Sequence, residues 1–350
     1  MASFSSGSGQ EDEVLVEEKS FVRTLILNRP KQLNSASRYM ISRLLELFLV
    51  YEKDSNVKLV ILKGKGRAFC AGGDVAALVH DINNGNWKSC AIVSWKVFTL
   101  NYLMATYSKP QVSILNGIVM GGGAGCSIHG SLRVATENSV FAMPETALGL
   151  FPDTGASYFL SRLPGHFGEY LGLTGARVDG AEMLACGLAT HFVPSAKLPS
   201  LEAALHTVDS SDKAIISAVI GQYSELPMLK EQSAYRRSDV INRCFSRRTV
   251  EDILSALIRE GRLQGIGQCL VREYRMVCHV MQGEVSKDFV EGCRALLLDK
   301  DKNPKWEPPR LELVSEKMVD KYFSKVDDED WEDLKLPARS NLPASAIAKL

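Results

Sequence analysis

The chain has 350 residues, 45% of them hydrophobic, and its 41 basic residues balance 41 acidic ones. This is enough apolar material for a sizeable core in one large domain or two, and the balanced charge gives no electrostatic basis for binding nucleic acid or an anionic membrane. No apolar run approaches the roughly 18 residues of a membrane span, and the eight cysteines include no CxxC pair. They are typical of reduced thiols in an intracellular protein.

The first third of the chain alternates strand and helix patterns. Strands are predicted at 14–16 and 21–27 around a polar turn at 17–20, and Ser37 is expected to cap a helix that ends near Tyr51. The nearly continuous apolar run 57–62 is typical of a strand in a parallel sheet. A glycine-bearing loop at 63–74, a helix at 87–107 and a strand at 111–115 follow. This pattern predicts an α/β fold whose ligand site lies beyond the strand ends.

The segment 116–153 carries the residues best suited to chemistry. A strand leads to the glycine run 121–123, and a short helix is predicted at 124–129. Glycines at such a junction let a ligand approach the backbone, and a helix N-terminus offers N–H groups to developing negative charge. Two acids, Glu145 and Asp153, follow in apolar surroundings. We expect burial to adjust their pKa values for proton transfer.

Each of these features also has an ordinary structural explanation. Gly72 and Gly73 suit a plain turn, and the glycine run 121–123 suits close helix packing. Glu145 follows a proline, where an acid at a helix start is common, and Asp153 lies in a Pro-Asp-Thr-Gly turn sequence. For the two acids, the structural and functional interpretations are about equal from the residues alone. The two glycine loops together, beside a carboxylate pair, favour function.

Beyond residue 158 the patterns are mainly helical. Helices are expected at 167–173, 181–186, 200–208, 215–224, 249–259, 267–281 and 288–298. The predicted organisation is a disordered tail at 1–13, an α/β core with the ligand site at 14–200, a helical region at 201–335 and a flexible tail at 336–350. The boundary near 200 is soft, because a helical layer packed on the core fits these patterns as well as a separate domain does.

The two ends of the chain carry address information. Residues 1–13 lack the apolar core of a secretory signal, and their acids and absence of arginine argue against a transit peptide. The chain ends in Ala348-Lys349-Leu350, one residue away from the Ser-Lys-Leu peroxisomal signal. An accidental tripeptide is the alternative. We favour a peroxisomal location, with the import receptor as a partner.

Four motifs together resemble one superfamily. GKGRAFCAGGD (64–74), NGIVMGGGAGCSIHG (116–130), FAMPETALGLFPD (141–153) and EGCRALLLDKDKNPKW (291–306) are similar to the crotonase, or enoyl-CoA hydratase/isomerase, superfamily. Within it they most resemble 3-hydroxyisobutyryl-CoA hydrolases of the plant peroxisomal type. The resemblance implies a crotonase-like α/β spiral of ββα units with a helical C-terminal region. It also implies cleavage of the thioester of 3-hydroxyisobutyryl-CoA, or of a near relative such as 3-hydroxypropionyl-CoA, in valine breakdown, without a metal or redox cofactor.

The resemblance also implies roles for individual residues. The N–H groups of Gly73 and Gly122 correspond to the pair that holds the thioester oxygen as it becomes an oxyanion. Glu145 corresponds to the catalytic glutamate, which either attacks the carbonyl or deprotonates the attacking water. Asp153 corresponds to an aspartate near the substrate's 3-hydroxyl. The expected acyl-CoA-binding residues are Gly72, Gly73, Asp74, Gly121, Gly122, Glu145 and Asp153.

Differences from the superfamily pattern select among its activities. Hydratases carry a second glutamate at the position of Gly125, so hydration is not expected here, whereas hydrolysis and double-bond isomerisation remain open. The hydrolases have an acid on the helix before Lys109, near Val97, and a longer stretch before Glu260. Both are missing here, which keeps open a third alternative, a catalytically weak CoA-binding or assembly subunit. By analogy with the superfamily we also expect a homo-oligomer.

Overall fold

Two β-sheets, built from strands that alternate along the chain, hold the core together. In this computed structural model, residues 12–246, 258–339, 342 and 346 are described. The larger sheet contains β1 (Val14–Lys19), β2 (Val22–Leu27), β3 (Leu59–Gly64), β5 (Gln111–Leu115), β7 (Leu132–Ala135) and β10 (His191–Phe192), in that order. The smaller contains β4 (Ala68–Cys70), β6 (Ile118–Met120), β8 (Val140–Ala142) and β9 (Val178–Asp179).

The strand order describes a spiral. The chain places β3, β5 and β7 side by side in the larger sheet and sends the next strand of each pair, β4, β6 and β8, to the smaller one. These neighbours pair in parallel, and only β1–β2 and β8–β9 are antiparallel among the described strands. Parallel neighbours need a crossover connection, which the helices between the pairs provide. This confirms the expected spiral of ββα units.

Helices surround both sheets. Those within the spiral are α1 (Arg38–Lys53), α2 (Val75–Asn83), α3 (Trp87–Ala105), α4 (Gly122–Ile128), α5 (Ala156–Phe159), α6 (Phe167–Thr174) and α7 (Gly180–Cys186). After β10 come α8 (Leu198–His206), α9 (Lys213–Gly221), α10 (Ser238–Phe245), α11 (Ile266–Gln282), α12 (Asp288–Cys293) and α13 (Glu316–Phe323). Ser37 caps α1 as expected, accepting the Met40 N–H at 3.0 Å. None of the described helices is long and apolar enough to span a bilayer.

The C-terminal helices pack directly on the spiral. The ring of Tyr274, on α11, lies edge-on to Trp95 and Phe98 of α3, with centroids 5.6 and 6.0 Å apart. Tyr274 and Phe98 are fully buried, and such aromatic pairs stabilise beyond their buried area. A helical layer therefore covers α3. The domain division proposed at residue 200 stays a prediction.

Some element boundaries differ from those predicted. The polar turn predicted at 17–20 is wrong, because β1 continues to Lys19, which pairs with Val22, and the turn is only Ser20-Phe21. Residues 17–19 have polar side chains, but their backbone N–H and C=O groups form hydrogen bonds in the antiparallel pair with β2, which keeps them in the strand. The helix predicted to begin at Ala124 begins at Gly122 instead. The helix predicted at 249–259 falls mostly outside the described residues.

Close packing of α4 on β4 depends on a missing side chain. A Cβ at Gly123 would lie 2.1 Å from the carbonyl oxygen of Cys70 and 2.8 Å from its carbon. We expect Gly123→Ala to lower the free energy of unfolding by roughly 1–3 kcal/mol, because backbone must move to admit the methyl group. Gly221→Ala is the matched control, since a Cβ there meets no atom within 4 Å. Urea unfolding measures both, and equal stabilities would contradict the packing argument.

Candidate active site

Two glycine loops meet where the small sheet ends. The first follows β4 and contains Gly72 and Gly73, and the second follows β6 and leads into α4 through Gly121 and Gly122. A Cβ placed at Gly122 would lie 3.3 Å from the Gly73 nitrogen and 3.6 Å from the carbonyl carbon of Gly72. Because β4 and β6 are parallel neighbours, their carboxyl ends bring these loops to one edge of the sheet.

The N–H groups of Gly73 and Gly122 are available to a ligand. Among the described residues, neither N–H has a recorded hydrogen-bond acceptor, whereas Ala36 and Asp74, beside the first loop, donate their N–H groups to Gly72 and Ala36. Gly122 is the first residue of α4, whose first N–H groups have no partner within the helix. Two unpaired N–H donors on adjacent loops suit a single oxygen that gains negative charge.

Glu145 approaches the same place from a third segment. It begins a 3₁₀ turn, Glu145–Leu148, directly after β8 and Pro144. A Cβ at Gly121 would lie 2.6 Å from Glu145 Oε1, so only a glycine lets this carboxyl come so close to the second loop. Gly121 also has φ of 50°, in the left-handed region that favours glycine. The side chain of Glu145 is buried, and Oε2 has no partner within the described chain.

All seven residues assigned to acyl-CoA binding line one cavity of about 380 Å³, a volume typical of small-molecule sites. Besides Gly72, Gly73, Asp74, Gly121, Gly122, Glu145 and Asp153, its wall includes Val93, Val97, Phe98, Leu148, Leu150, Met281 and Phe289. Helices α3, α11 and α12 thus contribute an apolar wall opposite the glycine loops. Asp74 is held by Arg29 at 3.1 Å. The catalytic roles of these residues stay predictions.

At two positions the structure shows what stands where the family resemblance places an acid. Val97 lines the cavity from α3, so an apolar side chain stands where an acid was expected from the hydrolase resemblance. A Cβ at Gly125 would lie 2.6 Å from Thr154 Cβ and 3.1 Å from Asn101 Nδ2. A glutamate therefore does not fit at Gly125 without rearrangement. The space that a second glutamate needs is occupied by the threonine and the asparagine.

Burial and mutual repulsion tune the carboxyl pair. Burial, and secondarily the nearby Asp153, raise the pKa of Glu145 well above its ordinary value. Burial and then Glu273 raise the pKa of Asp153 to about 7. Because a charge on Asp153 disfavours ionisation of Glu145, the pair retains a proton near neutral pH. One group can then act as a base or nucleophile while the other donates a proton.

A third buried acid, Glu273, was not anticipated from the sequence. It lies on α11, is fully buried, and accepts hydrogen bonds from the N–H groups of Gly155 and Ser157 at 2.6 and 2.9 Å. The one available signal was its position on the apolar face of a helix, next to Cys269, Leu270 and Val277. Nothing in the spacing connects that helix to residue 153.

Other candidate groups have structural environments. Burial raises the pKa of the Cys70 thiol to about 11, and Cys126 is buried as well, so neither is a ready thiolate. His129 Nε2 donates a hydrogen bond to the Thr154 carbonyl oxygen, 2.9 Å away, because a carbonyl oxygen can only accept. Across the described residues, no group of three or more metal-ligating side chains was found.

Comparison with known proteins identifies the family. The chain matches the Enoyl-CoA hydratase/isomerase family over residues 22–262 and 255–323. It is 66% identical over 373 residues to 3-hydroxyisobutyryl-CoA hydrolase 1 of Arabidopsis thaliana, covering 97% of this chain and 98% of the relative. The chain belongs to the enoyl-CoA hydratase/isomerase, or crotonase, family. One similar solved structure, a carnitinyl-CoA dehydratase from Mycobacterium thermoresistibile, has a TM-score of 0.85 and 32% sequence identity, and the match covers 94% of this chain and 100% of that one.

The crotonase comparisons also bear on the expected shortening. As 97% of this chain is about 340 residues, roughly 33 of the 373 aligned positions have no counterpart here. The two family matches meet at 255–262, beside the place where a stretch was expected to be missing. Residues 247–257 lie outside the described chain.

Another relative, small ribosomal subunit protein mS47 of Arabidopsis thaliana, is 42% identical over 370 residues, covering 95% of this chain and 90% of its own.

The raised pKa of Asp153 predicts a pH-dependent stability difference. Its folded pKa of about 7, against an ordinary 3.8, means that the stability contributed by the protonated form is present below pH 4 and is lost as the pH rises through 7. Between pH 4 and pH 8 we expect the free energy of unfolding of Asp153→Asn to rise by roughly 1–2 kcal/mol relative to that of the wild type. This is less than the whole pKa shift implies, because the carboxyl is partly exposed.

Urea unfolding at a series of pH values measures this difference. Asp239→Asn, a change at an exposed aspartate on α10, is the control and should show a much smaller pH trend. A stability difference for Asp153→Asn that stays constant from pH 4 to pH 8 would contradict the assignment of a raised pKa.

Proposed function

We propose that this crotonase-family protein hydrolyses the thioester of 3-hydroxyisobutyryl-CoA, or of a near relative such as 3-hydroxypropionyl-CoA. The observation that carries the proposal is the meeting of three groups at one cavity: the N–H groups of Gly73 and Gly122 and the carboxyl of Glu145. The 66% identity to a relative with that activity in its name supports it. Free hydroxy acid and CoA are the products, and breakdown of valine is the pathway that such a substrate implies.

The proposed reaction follows from this geometry. The thioester oxygen lies between the two N–H groups, each of which stabilises the developing oxyanion by roughly 2.7–4 kcal/mol. Ionised Glu145 either takes a proton from the water that attacks the carbonyl carbon, or attacks that carbon itself and forms a mixed anhydride, which water hydrolyses after CoA has left to release the hydroxy acid and restore Glu145. The C–S bond then breaks, and the leaving CoA sulfur takes up a proton. Asp153, with its raised pKa, contacts the 3-hydroxyl and assists that proton transfer.

Buried polar atoms near the acids support a hydroxylated acyl group. Thr154 Oγ1 and Glu145 Oε2, on two residues that line the cavity, are buried without a hydrogen-bond partner in the described chain. Unpaired buried polar groups cost free energy, so they point to a ligand or water. A site built to pair a hydroxyl rejects analogues that lack it.

Two other functions make different predictions. Enoyl-CoA isomerisation needs only one base, which Glu145 provides, but it releases no thiol. A CoA-binding or assembly subunit is favoured by the apolar Val97 on the cavity wall, by the shortened alignment and by the ribosomal relative. Such a subunit would bind acyl-CoA, or a partner protein, without turnover. Self-association of the chain is a further proposal by analogy with the family.

A thiol-release assay distinguishes these functions. With 3-hydroxyisobutyryl-CoA, we expect the wild type to release free CoA and Glu145→Gln to lower kcat by roughly 10²–10⁴-fold, because the amide is neither base nor nucleophile. Asp153→Asn should lower kcat with the 3-hydroxy substrate more than with isobutyryl-CoA. We also propose that no metal or redox cofactor takes part, so dialysis against EDTA should leave the rate unchanged.

A matched control separates chemistry from folding. Glu182→Gln changes a buried glutamate that caps α7, outside the cavity, and should retain kcat among folded molecules. Equal rates in the wild type, Glu145→Gln and Asp153→Asn would remove the catalytic assignment. Absence of thiol release from the wild type, together with tight acyl-CoA binding, would favour the binding subunit.

We propose a peroxisomal location for the enzyme. The support is the C-terminal Ala348-Lys349-Leu350, with the import receptor as the partner; these residues lie outside the described chain. A fluorescent protein fused to the N-terminus of the full chain should colocalise with a peroxisomal marker in plant cells. Deleting the three residues should leave the fusion in the cytosol. Unchanged peroxisomal fluorescence after the deletion would refute the signal.

A further inference from the structure

Glu273 is a buried acid whose hydrogen bonds lead to the active site. Its side chain, on α11, has no exposed surface. One oxygen accepts the Gly155 N–H at 2.6 Å, and the other accepts the Ser157 N–H at 2.9 Å and the Ser157 hydroxyl at 2.5 Å. All three partners are donors, which suits a carboxylate in its ionised form. The C-terminal helical layer is thus tied to the loop that follows Asp153.

That loop has an unusual backbone. Thr154 has φ of 57° and Gly155 has φ of 85°, both in the left-handed region, which a β-branched residue rarely adopts. Such a conformation persists only when its surroundings hold it. Here the Thr154 carbonyl accepts a hydrogen bond from His129 Nε2, and the N–H groups of Gly155 and Ser157 donate to the Glu273 carboxylate. Asp153 immediately precedes this braced turn.

We propose that Glu273 is a positioning residue: by holding the backbone of Gly155 and Ser157, its carboxylate aims Asp153 into the acyl cavity. The inference rests on the proposed hydrolysis, in which Asp153 meets the substrate's hydroxyl. Glu273 is absent from the cavity wall, while Asp153 and Thr154 line it. It therefore acts through the loop and does not touch the substrate.

The charge of Glu273 has a second effect. It is the second cause, after burial, of the raised pKa of Asp153, and it contributes to that of Glu145. Burial raises the pKa of Glu273 itself to about 7, opposed by the hydrogen bonds of the loop and by the Arg272 guanidinium. The Cys269 thiol, one turn earlier on α11, also faces it, and its pKa of about 11 keeps it neutral.

The other groups on this side of α11 differ in charge. Ser157, on α5, contributes a neutral hydroxyl, whereas the Arg162 guanidinium acts on the neighbouring Cys269 thiol and lowers its pKa against the effect of burial. Burial lowers the pKa of His129 to about 4, so its imidazole is neutral. The carboxyl groups of Asp153 and Glu145 are thus the ones whose titration a charge at Glu273 changes.

Two substitutions separate the effect of the length of the Glu273 side chain from the effect of its charge. Glu273→Gln presents an NH₂ group to one of the backbone donors and removes the charge. We expect kcat of thiol release to fall roughly 10–100-fold with little change in KM, as when a catalytic group is misplaced. The acidic limb of the pH profile should also move to lower pH, by on the order of half a unit. Glu273→Asp keeps the charge but shortens the side chain, so kcat should fall without that movement.

Glu169→Gln is the matched structural control. Glu169 is also a fully buried glutamate, but it lies on α6, outside the cavity wall, and pairs with Arg262 and His166. It should lower thermal stability while leaving kcat and the pH profile of the folded enzyme unchanged. If Glu273→Gln, like Glu169→Gln, lowers thermal stability but leaves kcat and the acidic limb of the pH profile unchanged, Glu273 is only a core residue. That result would overturn the proposal.

A titration without turnover keeps this test separate from the proposed function. The pKa of Asp153 can be followed by carboxyl ¹³C NMR, with the signal assigned through Asp153→Asn. In Glu273→Gln the midpoint should be lower than in the wild type by on the order of half a unit, even if the wild type releases no thiol. An identical midpoint in both proteins would overturn the coupling between Glu273 and Asp153.

Discussion

The approach of two glycine loops is the constraint on which the rest of the site depends. Parallel pairing of β4 and β6 brings the loops after both strands to the same edge. Glycines at 121, 122 and 123 leave room for this approach, because a Cβ at each would lie 3.3 Å or less from a neighbouring atom. Peptide N–H groups fixed in this way need no reorganisation when charge develops on a bound oxygen. The spiral matters to the proposed hydrolysis mainly because it holds these two peptide groups together.

The buried Glu145 and Glu273 and the partly exposed Asp153 lie beside this arrangement, and no described cation is ion-paired with Glu145 or Asp153. Burial raises the pKa values of Glu145, Asp153 and Glu273, so their ionisation costs stability at high pH. Sites of this kind retain such a cost because a poised acid and base are needed there. Glu273 is different from the other two, since its oxygens are fully occupied by the loop it holds.

The helical C-terminal layer is part of the site as well as a cover for it. Met281 and Phe289 close the cavity opposite the glycine loops, and α11 supplies Glu273. About one tenth of the positions aligned with the plant relative have no counterpart in this chain. The second family match spans residues 255–323, so it includes α11 and Glu273.

The sequence by itself determined the α/β spiral, the two glycine loops and the acids Glu145 and Asp153, because strand periodicity, glycine runs and family motifs are local signals. Tertiary structure decided the rest. Only folding shows that Thr154 and Asn101 occupy the space beside Gly125, or that Val97 faces the acyl cavity. Glu273 lies 120 residues from Asp153 in the chain, and its role depends on hydrogen bonds to backbone N–H groups. Every residue except proline carries that donor, so no side-chain pattern announces where such bonds form.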